Sequence, residues 1–290
     1  MSGSNKVFND VSVFVERLPN KKWFKGLAGF VKVITRIFYN TISKLDRDQQ
    51  LIFMNYGYFH TDPDHAYLSL GAGDEKHRHQ IQMYHHVARS VDWDGLHALE
   101  VGSGRGGGAS YVKRQFSPKS LLGVDLSNEA VEFSNRYHAA VEGLRFVQGD
   151  AEALPFPDES FDIILNIESS LYYPNVERFF AHVVRLLKPN GYFLYADMRF
   201  HDELEGWHQQ LKDTGLEMLT EEDITQNARH ALALNQEFRQ NLVKKYVPPL
   251  LRPILSRFGG ADGGRLGPNS HTPGKRIYKR FVFRKNATMA

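Results

Sequence analysis

The chain has 290 residues, 42% hydrophobic and 24% charged, an ordinary globular composition long enough for one large domain or a domain with a substantial insertion. It contains no cysteine, which excludes disulfides, thiolate metal sites and a cysteine nucleophile, and fits a cytoplasmic setting. A net charge of +3 is too small to imply wholesale nucleic-acid binding, and no apolar run is long enough to span a bilayer.

Lys21 to Leu45 lacks acidic residues. Trp23, Phe24, Leu27, Phe30, Val31, Ile34, Ile37, Phe38 and Ile42 recur there at helical spacing, punctuated by Lys21, Lys22, Lys25, Lys32, Arg36 and Lys44. This basic amphipathic stretch predicts either a lid packed on its own domain or a peripheral membrane contact. Leu51 to Gly73 is irregular and aromatic around Gly57, as a loop folding over a ligand would be. Asp74 is expected to cap a helix running to about Val91. Its His77, His79, His85 and His86 do not place three ligands on one face with a carboxylate, and no H-E-x-x-H motif occurs, so no metal site is expected.

From Leu96 the pattern becomes strand, turn, helix. Leu96–Val101, Leu121–Asp125, Leu144–Gln148, Phe161–Ile167 and Tyr192–Asp197 read as five short apolar strands, alternating with helices at Ala109–Phe116, Glu129–His138, Val176–Leu187 and Glu203–Lys212. Leu216–Leu219 is a sixth strand and Arg276–Arg284 a seventh. The pattern predicts a doubly wound α/β sheet. Thr225–Val247 reads as helical and precedes a Pro- and Gly-rich segment to Gly274. The expected organisation is an N-terminal helical lid (1–90), a nucleotide-binding core (91–223), an insertion (224–274) and a final core strand with tail (275–290).

The stretch Glu100-Val101-Gly102-Ser103-Gly104-Arg105-Gly106-Gly107-Gly108 is a glycine turn between a strand and a helix, suited to a nucleotide cofactor. Gly102, Gly104 and Gly107 fit a dinucleotide fingerprint; Gly102, Gly104 and Gly106 fit an E-x-G-x-G-x-G loop equally well. Asp125, about twenty residues on, can accept both hydroxyls of a ribose in either case. Later landmarks separate the two. Gly149-Asp150-Ala151, Leu154-Pro155-Phe156, Ser160-Phe161-Asp162 and the turn Leu187-Lys188-Pro189-Asn190-Gly191 follow in order.

With the glycine loop, these residues resemble the successive motifs of class I S-adenosylmethionine-dependent methyltransferases over roughly Leu96 to Asp197. The resemblance implies that Gly102, Ser103, Gly104 and Gly106 pass the methionine end of S-adenosylmethionine, with Tyr84, Glu100 and Asn166 nearby. It implies that Asp125 holds the ribose beside Leu126, and that Asp150 and Ala151 frame the adenine. Asn166-Ile167-Glu168-Ser169-Ser170-Leu171-Tyr172-Tyr173-Pro174 and Ala196-Asp197-Met198-Arg199 resemble the sterol and tocopherol methyltransferase group. They are more similar still to the phthiotriolone and phenolphthiotriolone dimycocerosate O-methyltransferases. That resemblance implies O-methylation of a hydroxyl on a bulky apolar polyketide or lipid, with C-methylation or a non-methylating cyclase role as alternatives. An oxygen acceptor must lose a proton to a group within hydrogen-bond reach. His85 and Glu168 are the candidate bases, with Tyr172 as a positioning residue. Arg199 would orient a polar substrate group or pair with Asp202 on the surface.

Overall fold

The computed structural model describes Lys32, Val33, Arg36, Asn40, Gln49, 51–60, 68–246, Pro249, Arg252, Leu266 and 275–287. Most of the basic stretch at 21–45 and of the segment after residue 246 lies outside the described residues. The core elements are α1 (Arg78–Ala88), β1 (His97–Val101), α2 (Gly107–Phe116), β2 (Ser120–Asp125), α3 (Asn128–Tyr137) and β3 (Leu144–Gln148). They continue as β4 (Phe161–Ile167), α4 (Val176–Leu186), β5 (Leu187–Phe200), α5 (Leu204–Lys212), β6 (Glu217–Asp223), α6 (Thr225–Leu234), α7 (Gln236–Tyr246) and β7 (Arg276–Arg284).

The seven strands form one sheet in the order β3-β2-β1-β4-β5-β7-β6. Strands β1 to β5 pair in parallel, and β7 runs antiparallel between β5 and β6. Strand order reverses between β1 and β4, and a ligand crevice opens at such a switch point, outside the carboxyl ends of the strands. The period of two sorts the side chains by face. Leu194, Ala196, Tyr278 and Val282 pack against Ile81, Val87, Ala109 and Val112 on one side. Phe193, Tyr195, Phe281 and Phe283 pack against Phe179, Phe180 and Trp207 on the other. Ser127 caps α3, its Oγ accepting from the Ala130 N–H at 3.1 Å.

Four local expectations are corrected. Asp74 lies inside a separate one-turn helix, Ala72–Glu75, and its carboxylate pairs with Arg114 at 3.0 Å instead of capping α1, which ends at Ala88. The Thr225–Val247 helix is two helices parted at Asn235, which caps the end of the first. The turn at Leu187–Gly191 is the start of the long strand β5: Leu187 pairs with Phe161, and Asn190 takes a φ of +64° while its N–H donates to Lys285 O at 2.8 Å. Arg199 does not reach Asp202 on the surface. It is buried at 3% exposure beside Asp197 (3.6 Å), donates to Ser170 Oγ at 2.9 Å and lies over the Trp207 ring.

That buried charge pair anchors the crevice. Asp197 Oδ2 accepts from Ser170 Oγ (2.6 Å) and the Leu171 N–H (3.0 Å), and Oδ1 from the Met198 N–H (2.8 Å). It thus holds the turn that follows Glu168. Asp197→Ala would leave the Arg199 guanidinium buried without its carboxylate, and is expected to lower unfolding stability by about 3–5 kcal/mol. Urea denaturation checks this.

Candidate active site

The glycine loop takes its shape from left-handed backbone at Gly102 (φ +78°), Gly104 (+53°) and Gly106 (+78°). The N–H groups of Gly102 and Ser103 donate to Val124 O at 2.7 and 3.0 Å, so the loop folds back over the end of β2. Asp125 closes it from the same strand: Oδ2 accepts from the Gly104 N–H at 2.8 Å and Oδ1 from the Ser127 N–H at 2.9 Å. Burial pushes the Asp125 carboxyl up, while those N–H groups pull it back. A Cβ at 102 would overlap Ser169 Oγ, and one at 108 would overlap the Tyr84 ring. Gly107 is the first residue of α2, and a Cβ there would stand 2.7 Å from Ile52 O.

Buried polar groups surround this loop. Tyr84 donates to Glu100 Oε1 at 2.7 Å, and burial pushes the Glu100 carboxyl up to about 8. Asn166 Nδ2 donates to Val101 O at 2.8 Å. Glu100 Oε2, Ser103 Oγ and Asn166 Oδ1 are buried with no hydrogen-bond partner among the described residues. On the β3 side, Asp150 Oδ1 accepts from the Glu152 N–H at 2.9 Å, and Ala151 is buried beside it. The Lys32 ammonium reaches Asp150 at 2.6 Å and Glu152 at 2.9 Å. Leu126 lies between Asp125 and Ser127, its carbonyl accepting from Gln148 Nε2 at 3.3 Å.

Glu168 stands just past β4, in left-handed backbone (φ +50°) that a non-glycine residue adopts only under constraint. Its N–H donates to Ala196 O at 2.9 Å. Its Oε1 accepts two hydrogen bonds, from the Tyr56 N–H at 2.7 Å and the Tyr278 hydroxyl at 2.9 Å. Burial pushes the carboxyl up to about 7, against the pull of those donors and of the Arg239 guanidinium.

The aromatic loop at 51–60 roofs this region. A Cβ on Gly104 would meet Met54 Sδ at 3.4 Å. Arg239 of α7 donates to Asn55 O at 2.6 Å, Asn227 of α6 donates to Phe59 O at 2.9 Å, and His230 stacks on Phe59 at 4.2 Å. The loop is therefore tied to α6 and α7.

The two candidate bases are not brought together. Neighbours on a helix point about 100° apart. Tyr84 turns toward Glu100, whereas His85 Nδ1 meets the Tyr111 hydroxyl at 2.8 Å and its ring packs on Phe116. Burial holds His85 below the usual histidine range. Tyr172 ends the short turn Ser170–Tyr172 and packs against the core at half-buried exposure. Tyr56, Tyr278 and Arg239 carry no motif, and sequence reasoning missed them; Ser169 lies within the Asn166–Pro174 segment but was given no role. Among the described residues no three His, Asp or Glu side chains are grouped to hold a metal ion, and no helix is long and apolar enough to cross a membrane.

Residues 99–195 match a family model described as a methyltransferase domain. The chain is 39% identical to a fatty-acid O-methyltransferase of Mycolicibacterium smegmatis over 84% of its length and 88% of the relative's. It is 37% identical to the phthiotriol/phenolphthiotriol dimycocerosates methyltransferase of Mycobacterium tuberculosis over 90% of its length and 95% of the relative's. Among solved structures, the cyclase SpnF matches with a TM-score of 0.67 at 19% identity, covering 87% of this chain and 95% of that one. The geranyl diphosphate C-methyltransferase of Streptomyces coelicolor, in complex with S-adenosyl-L-homocysteine, matches at 0.61 and 15%, covering 88% and 98%. Those two likenesses speak to the fold alone. The sequence relatives decide the rest: the chain belongs to the class I S-adenosylmethionine-dependent methyltransferases.

Proposed function

We propose that the protein transfers a methyl group from S-adenosylmethionine to a hydroxyl on a bulky, apolar, lipid-type molecule. The observation that carries the oxygen acceptor is Glu168, a carboxyl pushed up to about 7, at the carboxyl end of β4 and under an aromatic loop. A group titrating near the working pH is suited to take a proton from a hydroxyl. One relative's name gives O-methylation of a fatty acid, and the other gives methylation of phthiotriol and phenolphthiotriol dimycocerosates; both name lipid acceptors, and the second favours a hydroxyl over a carboxyl.

The residues around the glycine loop fit the cofactor. The partnerless Glu100 Oε2, Ser103 Oγ and Asn166 Oδ1 supply polar atoms for an amino-acid end, and a Cβ at Gly102 would fill the same space. We assign Tyr84, Glu100, Gly102, Ser103, Gly104, Gly106 and Asn166 to the methionine end, Asp125 and Leu126 to the ribose and its surroundings, and Asp150 with Ala151 to the adenine edge. The bound cofactor supplies an electrophilic sulfonium methyl. The chain's own contribution is to align the acceptor oxygen, exclude water and accept the hydroxyl proton on Glu168. The N-terminal segment 1–90 and the insertion 224–274 serve as covers over the core 91–223, closed by the strand in 275–290. Their contact through Asn55–Arg239 and Phe59–Asn227 supports that division. The basic stretch at 21–45 would bring the enzyme to a membrane-held acceptor.

Asp125→Ala removes the carboxylate that shapes the loop and is assigned to the ribose. Charged hydrogen bonds of this kind contribute about 1.5–3 kcal/mol, so S-adenosylmethionine binding is expected to weaken about ten- to a hundredfold. Isothermal calorimetry measures it, and unchanged affinity would remove Asp125 from the cofactor site. The acceptor chemistry is tested by product mass spectrometry with a panel of long-chain and phenolic alcohols.

A further inference from the structure

Strand β7 brings one hydroxyl into this site that no motif marks. Tyr278 is fully buried, and it donates to Glu168 Oε1 at 2.9 Å. The Tyr56 N–H donates to that same oxygen at 2.7 Å. No hydrogen bond holds Oε2 among the described residues. Two donors on one carboxylate oxygen fix the rotation of the group and leave the other oxygen as its basic face. The donors come from far apart in the chain: Tyr56 lies on the roofing loop, and Tyr278 lies on a strand held on both sides by β5 and β6.

We propose that Tyr278 is the positioning residue of the reaction, orienting Glu168 so that Oε2 faces the acceptor hydroxyl and takes its proton. This rests on the reading of Glu168 as the general base. The bond balance is simple. The acceptor O–H proton passes to Oε2, the acceptor oxygen forms the new bond to the methyl carbon, and the electron pair of the broken carbon–sulfur bond stays on sulfur.

The groups facing Glu168 decide how Tyr278 would show itself. Arg239 on α7 and the two hydrogen bonds lower the carboxyl's pKa, and Asp197 on β5 raises it. Tyr84 on α1 feels the Glu168 charge from the fourth side. Burial, together with the facing carboxylates, keeps the Tyr278 hydroxyl protonated well above the usual tyrosine range, so it remains a donor throughout the working pH. Removing it takes away a bond that favours the charged form, so the pKa of Glu168 is expected to rise.

The test is the pH profile of kcat for Tyr278→Phe, which keeps the ring and its packing. Wild type is expected to lose activity as the pH falls through about 7, because Glu168 becomes protonated. In Tyr278→Phe that acid limb is expected to move upward by about one pH unit, with kcat reduced and S-adenosylhomocysteine affinity unchanged by calorimetry. Glu168→Gln in the same assay is expected to abolish the limb. A thermal melt with bound S-adenosylhomocysteine shows that the variant is folded; if Tyr278→Phe does not fold, a ring-fluorinated tyrosine incorporated at position 278, a stronger donor of the same shape, must move the limb downward for the proposal to stand. A variant whose limb stays in place with kcat unchanged would make Tyr278 a packing residue and overturn the proposal while leaving Glu168 as the base. A wild-type profile with no limb near neutral pH would overturn both readings.

Discussion

Glu168→Gln is expected to lower kcat by about a hundred- to ten-thousandfold while leaving S-adenosylmethionine binding intact. The substitution preserves shape and removes the proton acceptor. Glu168 reaches its position through unusual backbone (φ +50°), with its N–H tied to Ala196 and one carboxylate oxygen tied to Tyr56 and Tyr278. A carboxylate that served only to hold the Tyr56 N–H would be replaced well by an amide, whose carbonyl accepts the same bond. Stopped assays of product formation beside calorimetric cofactor titration separate the two roles. The pH dependence carries the same sign: the base acts ionised, so wild-type activity rises through about pH 7.

Gly102→Ala is expected to deform the glycine loop and weaken cofactor binding. Gly102 stands at φ +78°, which costs an alanine about 1–3 kcal/mol, and the added methyl would overlap Ser169 Oγ. Ser169 cannot move away freely, because its hydroxyl is bonded to the Tyr173 hydroxyl at 2.7 Å, which in turn meets Asn166 at 3.2 Å. The loop must yield instead. Cofactor affinity is expected to fall about tenfold or more by calorimetry, at one order of magnitude per 1.36 kcal/mol. Gly73→Ala, with open space around its missing Cβ, is the control expected to leave affinity unchanged.

The placement of the residues assigned to the cofactor was legible because they sit at fixed offsets from strand ends. A strand ending at Val101 puts the glycines at the crevice, and strands ending at Asp125 and Gln148 put Asp125 and Asp150 beside them. Glu168 was readable for the same reason, one residue beyond β4. His85 was offered as a candidate base from its helix alone, and a sequence does not tell which way a helical side chain turns; in the fold it meets Tyr111 while Tyr84, one residue earlier, meets Glu100. Tyr278 was hidden in the alternation of Arg276–Arg284, which tells which face a residue takes but not that a hydroxyl on that face ends at a carboxylate. Arg239 and Tyr56 were hidden more deeply, since only the docking of α7 on the irregular loop brings them to Glu168. Arg199 illustrates the reverse error. One of its two expected roles was a surface pair with Asp202, yet it is buried beside Asp197, whose hydrogen bonds to Ser170, Leu171 and Met198 make burial of the charge tolerable.

The most direct test of the account uses methyl-labelled S-adenosylmethionine with the purified protein and two acceptors of matched chain length, one an alcohol or phenol and the other a carboxylic acid. Mass spectrometry identifies the position of the label. A hydroxyl needs a base and a carboxylate does not, so the account predicts a labelled methyl ether from the hydroxyl compound, lost in Glu168→Gln. A methyl ester from the acid alone, a carbon-methylated product, or ether formation indifferent to Glu168→Gln would contradict it.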